Sequence, residues 1–563
     1  MSRRKNPEYK PLLYTTTMRN PERLKYMLYV LKKFEGQTMN DIIATRICGE
    51  TIRYGLFRPT KRIPESVQAK WKMTPKGVFS EYILTDDELQ LVLTNNDSTI
   101  WDDIKGHKEA GFGKGWPSRF ATIFDLTKEL GLAYFQPDEP IFISSLGHHL
   151  LKTIDVEIDQ ESNLIKCKVA HPEYEQQVFL QAMAKSQRKN PFVRVLNDNI
   201  PLILLLQTIR KLNSDPTQNG CGISRQELPL LIFWKDNNAD ALYRRIIDLR
   251  KIHRYNPSNE VIIDICINEI MEGNFKEFDS TSIMIDYPDE FIRKMRMTGL
   301  LSLRGAGRFL DINKNENKTV DYILDNYSQY QHYTDEREYF DYMSKLDTNL
   351  ICISTQPYTI KNSEKLLNEW LKIYTWNYIK KELLNISSRK KSVDNVLKLL
   401  AEPSRLEFLT ALAIKSRMPN VRVVPNYSCD DTGLPTSTAG GNKGDIKCYE
   451  QQNGILIEVT MSTGRNQTIM EIWPIERHLE EFQKEINAQC IFIAPSIFHD
   501  SLQQIHFVSH QSNGKKEIRP YAIGDFVDYL ESSKSLYIPS KEYNTITYTI
   551  NRKASYTTAA EEL

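Results

Sequence analysis

The 563-residue chain lacks the features that mark several protein classes. No run approaches the roughly 18 apolar residues needed to span a bilayer. The longest apolar cluster, residues 200–209, is interrupted by Pro201, Gln207 and Thr208. Residues 1–10 are charged and lack the apolar stretch of a secretory leader. The 8 cysteines are scattered without CxxC or Cys/His ligand spacing, so neither a disulfide framework nor a zinc site is indicated. A reducing cytoplasm is therefore the expected location, with no membrane contact. No GxxxxGK[ST] occurs, and ATP-driven translocation is not expected. A glycine-rich dinucleotide fingerprint is missing, as is an aromatic pair of the RNA-recognition kind on a strand. The 10 histidines form no cluster. His148 and His149 are adjacent, face different sides of a helix and make a poor metal pair.

What is present is a soluble globular composition, 40% hydrophobic and 26% charged. This length allows two to four domains. The net charge of +1 hides an asymmetry. Residues 1–80 carry 17 Lys or Arg against 6 Asp or Glu, and residues 185–254 carry 13 against 6. The remainder is correspondingly acidic. Basic segments on a neutral chain point to a localised polyanion-binding surface, with a solvated basic face as the alternative.

The chain is organised around residues 442–478, NKGDIKCYEQQNGILIEVTMSTGRNQTIMEIWPIERH. Its periods give a strand over 445–450, a turn over 451–454, a strand over 455–460, a loop, and a helix from about Gln467. Such a hairpin brings Asp445 and Glu458 from different strands to one sheet edge. Two carboxylates there suit a hard divalent cation; the alternative is a solvated hairpin. Glu458 follows Asp445 by 13 positions, then come one residue and a polar third. That is the order of the PD-(D/E)xK nuclease core, with Thr460 where Lys is usual. Glu471 lies another 13 positions on, in the next helix. Upstream, Glu407 and Thr410 are the only polar residues between Leu406 and Ile414. A carboxylate in so apolar a helix is desolvated, which a cation would offset. His478 lies seven positions after Glu471 on the same helical face, within reach of a phosphate or a water. Its other reading is a surface histidine capping that helix's contacts.

These residues resemble the catalytic region of the AlwI-type type IIS restriction endonucleases, a family that includes site-specific nicking endonucleases. AGGNKGDIKCYE, ILIEVTMSTG, NQTIMEIWPIERHLEEF and CIFIAPSI carry the likeness, with LEFLTAL upstream. TTTMRNPERLKYMLYVLKKFEGQ resembles the family's opening segment. The resemblance implies four acidic active-site positions at Glu407, Asp445, Glu458 and Glu471, and a Glu-Val-Thr triplet at Glu458, Val459 and Thr460. The missing lysine departs from the wider nuclease superfamily but not from this family.

Elsewhere, residues 18–34 read as a helix with Asn20 as N-cap, Pro21 at its first position and Leu24, Met27, Leu28 and Leu31 as its apolar stripe. Another helix begins near Met39, and residues 74–88 read as strand-like. Residues 116–132 read as a helix ending at Gly131, followed by a short strand pair and a helix onset at Ser144. Residues 191–255 give three helices, the second with a capping box of Ser224 and Glu227. Together they resemble a helix-turn-helix, presenting Arg244, Arg245, Arg250 and Lys251 to DNA. Residues 291–312 give a basic helix, a glycine stop and a hairpin, a winged-helix pattern with Arg304 and Arg308 flanking the tip. Helices are expected over 363–385 and 391–400.

The expected architecture is mixed α+β and α/β and multidomain. A largely helical, winged-helix-like DNA-recognition region is N-terminal, and a PD-(D/E)xK-like α/β nuclease domain is C-terminal. The boundaries fall at 1–185 and 186–325 for two recognition subdomains, 326–390 for a helical linker and 391–563 for the nuclease. The expected activity is that of a type IIS restriction or nicking endonuclease that cuts double-stranded DNA a few base pairs outside a short asymmetric site. Its catalytic set is Glu407, Asp445, Glu458, Thr460, Glu471 and His478. Mg2+, with Mn2+ as substitute, is expected on Asp445, Glu458, Glu471 and the Val459 carbonyl. Lys447 on the neighbouring strand is one candidate for the missing lysine charge. Arg19, Arg244, Arg245, Arg250, Arg304 and Arg308 are the expected DNA contacts. A transient homodimer or a small second subunit is the expected partner for second-strand cleavage. The rival readings are a non-catalytic DNA-binding protein with a degenerate nuclease domain, and a nuclease acting on branched or single-stranded DNA.

Overall fold

A computed structural model describes residue 9 and residues 21–538, apart from 73, 75, 98–110, 160, 162, 194, 219, 275–278, 355–362 and 441–442. The chain is mixed α and β with several sheets. It divides into two units, Met1–Cys167 with Glu173–Gln356, and Lys168–Pro172 with Pro357–Leu563. Arg19 and the Asn20 cap lie outside the described residues.

The first unit is built mainly from capped amphipathic helices. Leu24, Met27, Leu28 and Leu31 are all buried along the helix Leu24–Lys32. The Asn40 side chain accepts from the Ile43 amide at 2.9 Å and starts Asp41–Arg53. Among the described residues of 74–88 no strand forms beyond a bridge of Tyr82 to Leu164. Instead Thr85 and Glu88 exchange the two bonds of a capping box, and the helix Asp86–Asn95 begins there. The sequence TDDE is a helix start, and that local chemistry outweighed the strand-like residues before it. Trp116–Glu129 ends at Gly131, whose φ of 71° suits glycine. Ser144 caps Ser145–Leu151, and His148 and His149 bond to Glu35 and Gln177.

The three helices expected over 191–255 are Pro201–Ser214, Leu228–Phe233 and Ala239–His253. Ser224 and Glu227 make their reciprocal bonds, although Ser224 itself sits in the strand Ile223–Ser224. Tyr287–Arg296 is followed by the hairpin of Leu301–Arg304 and Phe309–Ile312. Ile223–Ser224 adds a third strand against Phe309–Ile312.

In the second unit the single helix expected over 363–385 is two, Ser363–Leu371 and Trp376–Ser387. The helix expected over 391–400 is only a short turn, Leu397–Leu399. The Asp394 carboxylate takes the Val396 and Leu397 amides as an N-cap, together with the Tyr374 hydroxyl, so helical pairing begins only past it. Helix α1 (Glu402–Arg417) is buried almost all round, as its apolar sequence requires.

A five-stranded sheet follows, with β1 (Arg422–Pro425), β2 (Ile446–Glu450), β3 (Asn453–Val459), β4 (Asn487–Ala494) and β5 (Ile518–Ala522) side by side in chain order. β1, β2 and β3 pair antiparallel, whereas β3, β4 and β5 pair parallel. Helices α2 (Arg465–Gln483) and α3 (His499–Gln511) make the two crossovers. Gln511 is followed by β5 and then α4 (Ile523–Ser532). The apolar runs of β3 and β4 match strands covered on both faces. Leu456, Ile472, Ile475, Leu479, Phe482 and Phe492 form the core between sheet and α2.

Candidate active site

The β2–β3 register fixes two of the carboxylates. Ile446 pairs with Ile457, so Asp445, one residue before β2, falls opposite Glu458. The Asp445 Oδ2 accepts from the Val459 amide at 2.7 Å. Its backbone is held by Asn426, whose amide donates to the Asp445 carbonyl at 2.8 Å and whose side chain donates to the Gly444 carbonyl. Gly444 is a close approach: a Cβ there would lie 2.8 Å from Glu458 Oε1 and 2.4 Å from Leu456 Cδ1.

Glu407 comes from α1 and is 4% exposed, and Glu458 is 6% exposed; Asp445 and Glu471 are half-buried. Glu407 Oε2 accepts from the Ala439 amide at 3.1 Å, at the end of the strand Pro435–Ala439. Helix α2 brings Glu471 and His478 one face apart by two turns. His478 Nδ1 lies 2.9 Å from Glu458 Oε1, and Glu471 Oε1 accepts from the Thr460 hydroxyl at 2.7 Å. Buried Gln467 anchors the start of α2 by donating to the Ser462 and Ser496 carbonyls and accepting from the Phe498 amide.

These carboxyl groups sense one another. Withdrawal from water, then Asp445 and Glu458, push Glu407 well above the usual carboxylate range. Asp445 is pushed up by the same withdrawal, then by Glu458 and Glu471. Glu458 is raised by burial and then by Glu471. Glu471 is raised by burial against the lowering effect of the Thr460 hydrogen bond. Mutual repulsion of this kind concentrates at functional sites.

The structure therefore brings together Glu407, Asp445, Glu458, Thr460, Glu471 and His478, with Val459 entering through its amide. His478 faces Glu458 and is not a surface cap. Lys447 goes elsewhere: its ammonium donates to Glu485 at 2.7 Å and lies 4.7 Å from the Phe482 ring centroid. Asn426 and the Ala439 amide were missed by sequence reasoning, and nothing local distinguishes Asn426. Gly444 did carry a signal, the glycine-rich run before Asp445.

Among the described residues, no three His, Cys, Asp or Glu side chains lie close enough to hold a metal ion as they stand. The donor chemistry nevertheless fits a hard divalent cation. It consists of carboxylate oxygens held away from bulk water and raised by one another, a condition that a cation relieves. Mg2+ takes one or two carboxylates and keeps several waters, so the Asp445 and Glu458 pair is a sufficient donor set.

The expected DNA-contacting arginines separate in the first unit. Arg250 is 6% exposed and makes a two-pronged bond to Glu227, with both distances 2.7 Å. Its guanidinium is turned into the fold and away from any DNA surface, whereas Lys251 and Ile252 beside it are exposed. Arg245 is paired in two places with Glu269, and Arg304 with Asp311 and the Ile312 carbonyl. Arg244 and Arg308 are exposed. No described helix is long and apolar enough to cross a membrane.

A search of curated proteins finds no match. Among solved structures, the small subunit R.BspD6I2 of the heterodimeric restriction endonuclease R.BspD6I is 25% identical, covering 31% of this chain and 89% of that one with a TM-score of 0.25. Restriction endonuclease FokI is 11% identical, covering 94% and 97% with a TM-score of 0.25. The family model described as AlwI restriction endonuclease matches residues 128–398 and 359–529. The chain therefore belongs to the AlwI restriction endonuclease family and is a type II site-specific deoxyribonuclease.

Proposed function

We propose that the chain is a type IIS restriction or nicking endonuclease, dependent on Mg2+ or Mn2+, that cuts a few base pairs outside a short asymmetric duplex site. The observation that carries this reading is the group of Glu407, Asp445, Glu458 and Glu471, in which the first three carboxyls are pushed up by burial and then by their acidic neighbours. Strands β2 and β3 with helix α2 follow the PD-(D/E)xK order. Asp445 and Glu458 hold the cation, with Val459 supplying a carbonyl oxygen. Bound there, Mg2+ supplies Lewis-acid polarisation of the scissile phosphate and lowers the pKa of a water. His478 fixes one oxygen of Glu458, and Glu471 and Glu407 position the nucleophilic water or the cation's own waters.

Recognition is assigned to residues 1–185 and 186–325, joined by a helical linker over 326–390 to the nuclease of residues 391–563. Ala239–His253 and the Leu301–Ile312 hairpin form a winged-helix-like reader, with Arg244 and Arg308 as its exposed basic residues. Arg19 is a further candidate from the sequence alone. One carboxylate group serves one scissile phosphate, so a second copy or a small second subunit is required for the second strand.

The test is incubation of pure protein with a one-site supercoiled plasmid and Mg2+. Nicked circles should precede linear DNA. Asp445→Ala and Glu458→Ala should each cut more than about 100-fold more slowly while still retarding the cognate fragment. Wild-type cutting by either variant would remove the metal assignment. Retardation without cutting by the wild type would favour a non-catalytic DNA-binding protein.

A further inference from the structure

The third position of the Glu-Val-Thr triplet lacks the lysine of the wider superfamily, and Lys447 does not stand in for it. What Thr460 does instead can be read from its three bonds. Its amide donates to the Ile493 carbonyl at 3.0 Å and extends the ladder between β3 and β4, so its Cα is fixed by the sheet. Its Oγ1 accepts from the Ser462 amide at 3.0 Å and donates to Glu471 Oε1 at 2.7 Å. A hydroxyl has one proton. With a lone pair committed to Ser462, that proton is directed at Glu471 and the hydroxyl rotor is locked. Threonine's branched Cβ stiffens χ1 further.

We infer that Thr460 is a positioning residue that takes no part in the chemistry: it fixes the Glu471 carboxylate toward the cation site by a relay from the Ser462 amide through its own hydroxyl. The relay links three elements, namely the end of β3, the loop before α2 and α2 itself. Glu471 is the only one of the four carboxylates delivered by α2, and the Thr460 hydroxyl makes the hydrogen bond that ties it to the sheet. A lysine here would offer Glu471 a charge in place of a fixed hydrogen bond. The triplet's departure from the superfamily thus exchanges a charged group for an orienting one. The inference rests on the proposed metal site.

The experiment measures Ca2+ and Mn2+ binding to the full-length protein by calorimetry without DNA, alongside the Mg2+ dependence of cleavage. Thr460→Val should weaken cation binding by about 10- to 100-fold, as loss of an outer-shell partner does, and raise the half-saturating Mg2+ by a similar factor. Most of the cleavage rate should return at saturating Mg2+. Thr460→Ser, which keeps the hydroxyl, should restore binding to within about 3-fold of wild type. If Thr460→Val melts early, Thr460→Ala serves in its place. Unchanged cation binding in the Val or Ala variant overturns the relay. So does loss of cleavage at every Mg2+ concentration with binding intact, which would make Thr460 a catalytic residue. If wild type binds no cation and cuts without one, the metal site itself fails, and the relay fails with it.

Discussion

Two groups of buried acid in this molecule have opposite surroundings. In the first unit Glu227 is fully buried and meets Arg250, which donates to both of its oxygens at 2.7 Å. Arg250 donates further to the Gly222 carbonyl and to Gln218. Burial pulls the guanidinium down, but Glu227 holds it above its ordinary value. In the second unit, acids adjoin acids. Glu407 and Asp445 each accept from one backbone amide and repel one another. The first arrangement is closed, with every charge answered by the fold. The second keeps like charges together at a cost in stability, a cost that the proposed cation would reverse. The contrast separates a structural ion pair from a site more sharply than exposure alone, since Glu227 and Glu407 are both out of water.

That contrast can be broken from either side. Arg250→Ala leaves Glu227 buried without its partner and should destabilise the first unit by about 3–5 kcal/mol. Hydrogen exchange of the Ala239–His253 amides measures this; a loss below 1 kcal/mol, roughly the worth of an exposed pair, would show that the pair is not needed. Glu407→Gln removes a like charge and keeps the acceptor for the Ala439 amide. It should stabilise the second unit at pH 8 by on the order of 1–3 kcal/mol, since each pKa unit of elevation costs about 1.4 kcal/mol. A lower melting temperature for that variant would mean that repulsion is not what the site stores.

The smallest effect expected is on pH dependence. Carboxyls whose pKa is raised on folding contribute stability that is fully present below their unfolded values, near pH 4. That contribution is lost as the pH rises through the raised folded values of Glu407, Asp445, Glu458 and Glu471. Melting of the second unit should therefore move down as the pH rises from about 4 toward those raised values, by at most about 1.4 kcal/mol per pH unit for each carboxyl. Millimolar Mg2+ should flatten the trend. A profile that rises over that range without the cation would contradict the shared elevation.

Period and spacing made the second unit legible. The hairpin, the helix carrying Glu471 and His478, and the burial of α1 all follow from residues a few positions apart. What could not be read was the partner of a long side chain. Arg250 and Lys447 both lie where a pattern gives them a face, but their ammonium or guanidinium ends travel to Glu227 and Glu485, 23 and 38 positions away. Asp394 illustrates a second failure. Its carboxylate takes the Val396 and Leu397 amides as an N-cap does, so the turn starts there and not at Lys391. The first unit was legible where caps announced its helices, as at Ser144 and at the Ser224 and Glu227 box.

The amides of Ala439 and Val459, pointing at Glu407 and Asp445, give the site a built-in spectroscopic gauge. An amide proton directed at a carboxylate oxygen resonates according to the charge it faces. Isotope labelling of alanine and valine alone would thus report the ionisation of Glu407 and Asp445 on separate signals, one on each side of Asp445 in the chain. No side chain need be altered, and no DNA need be cut, for the state of the site to be followed as cation or duplex is added.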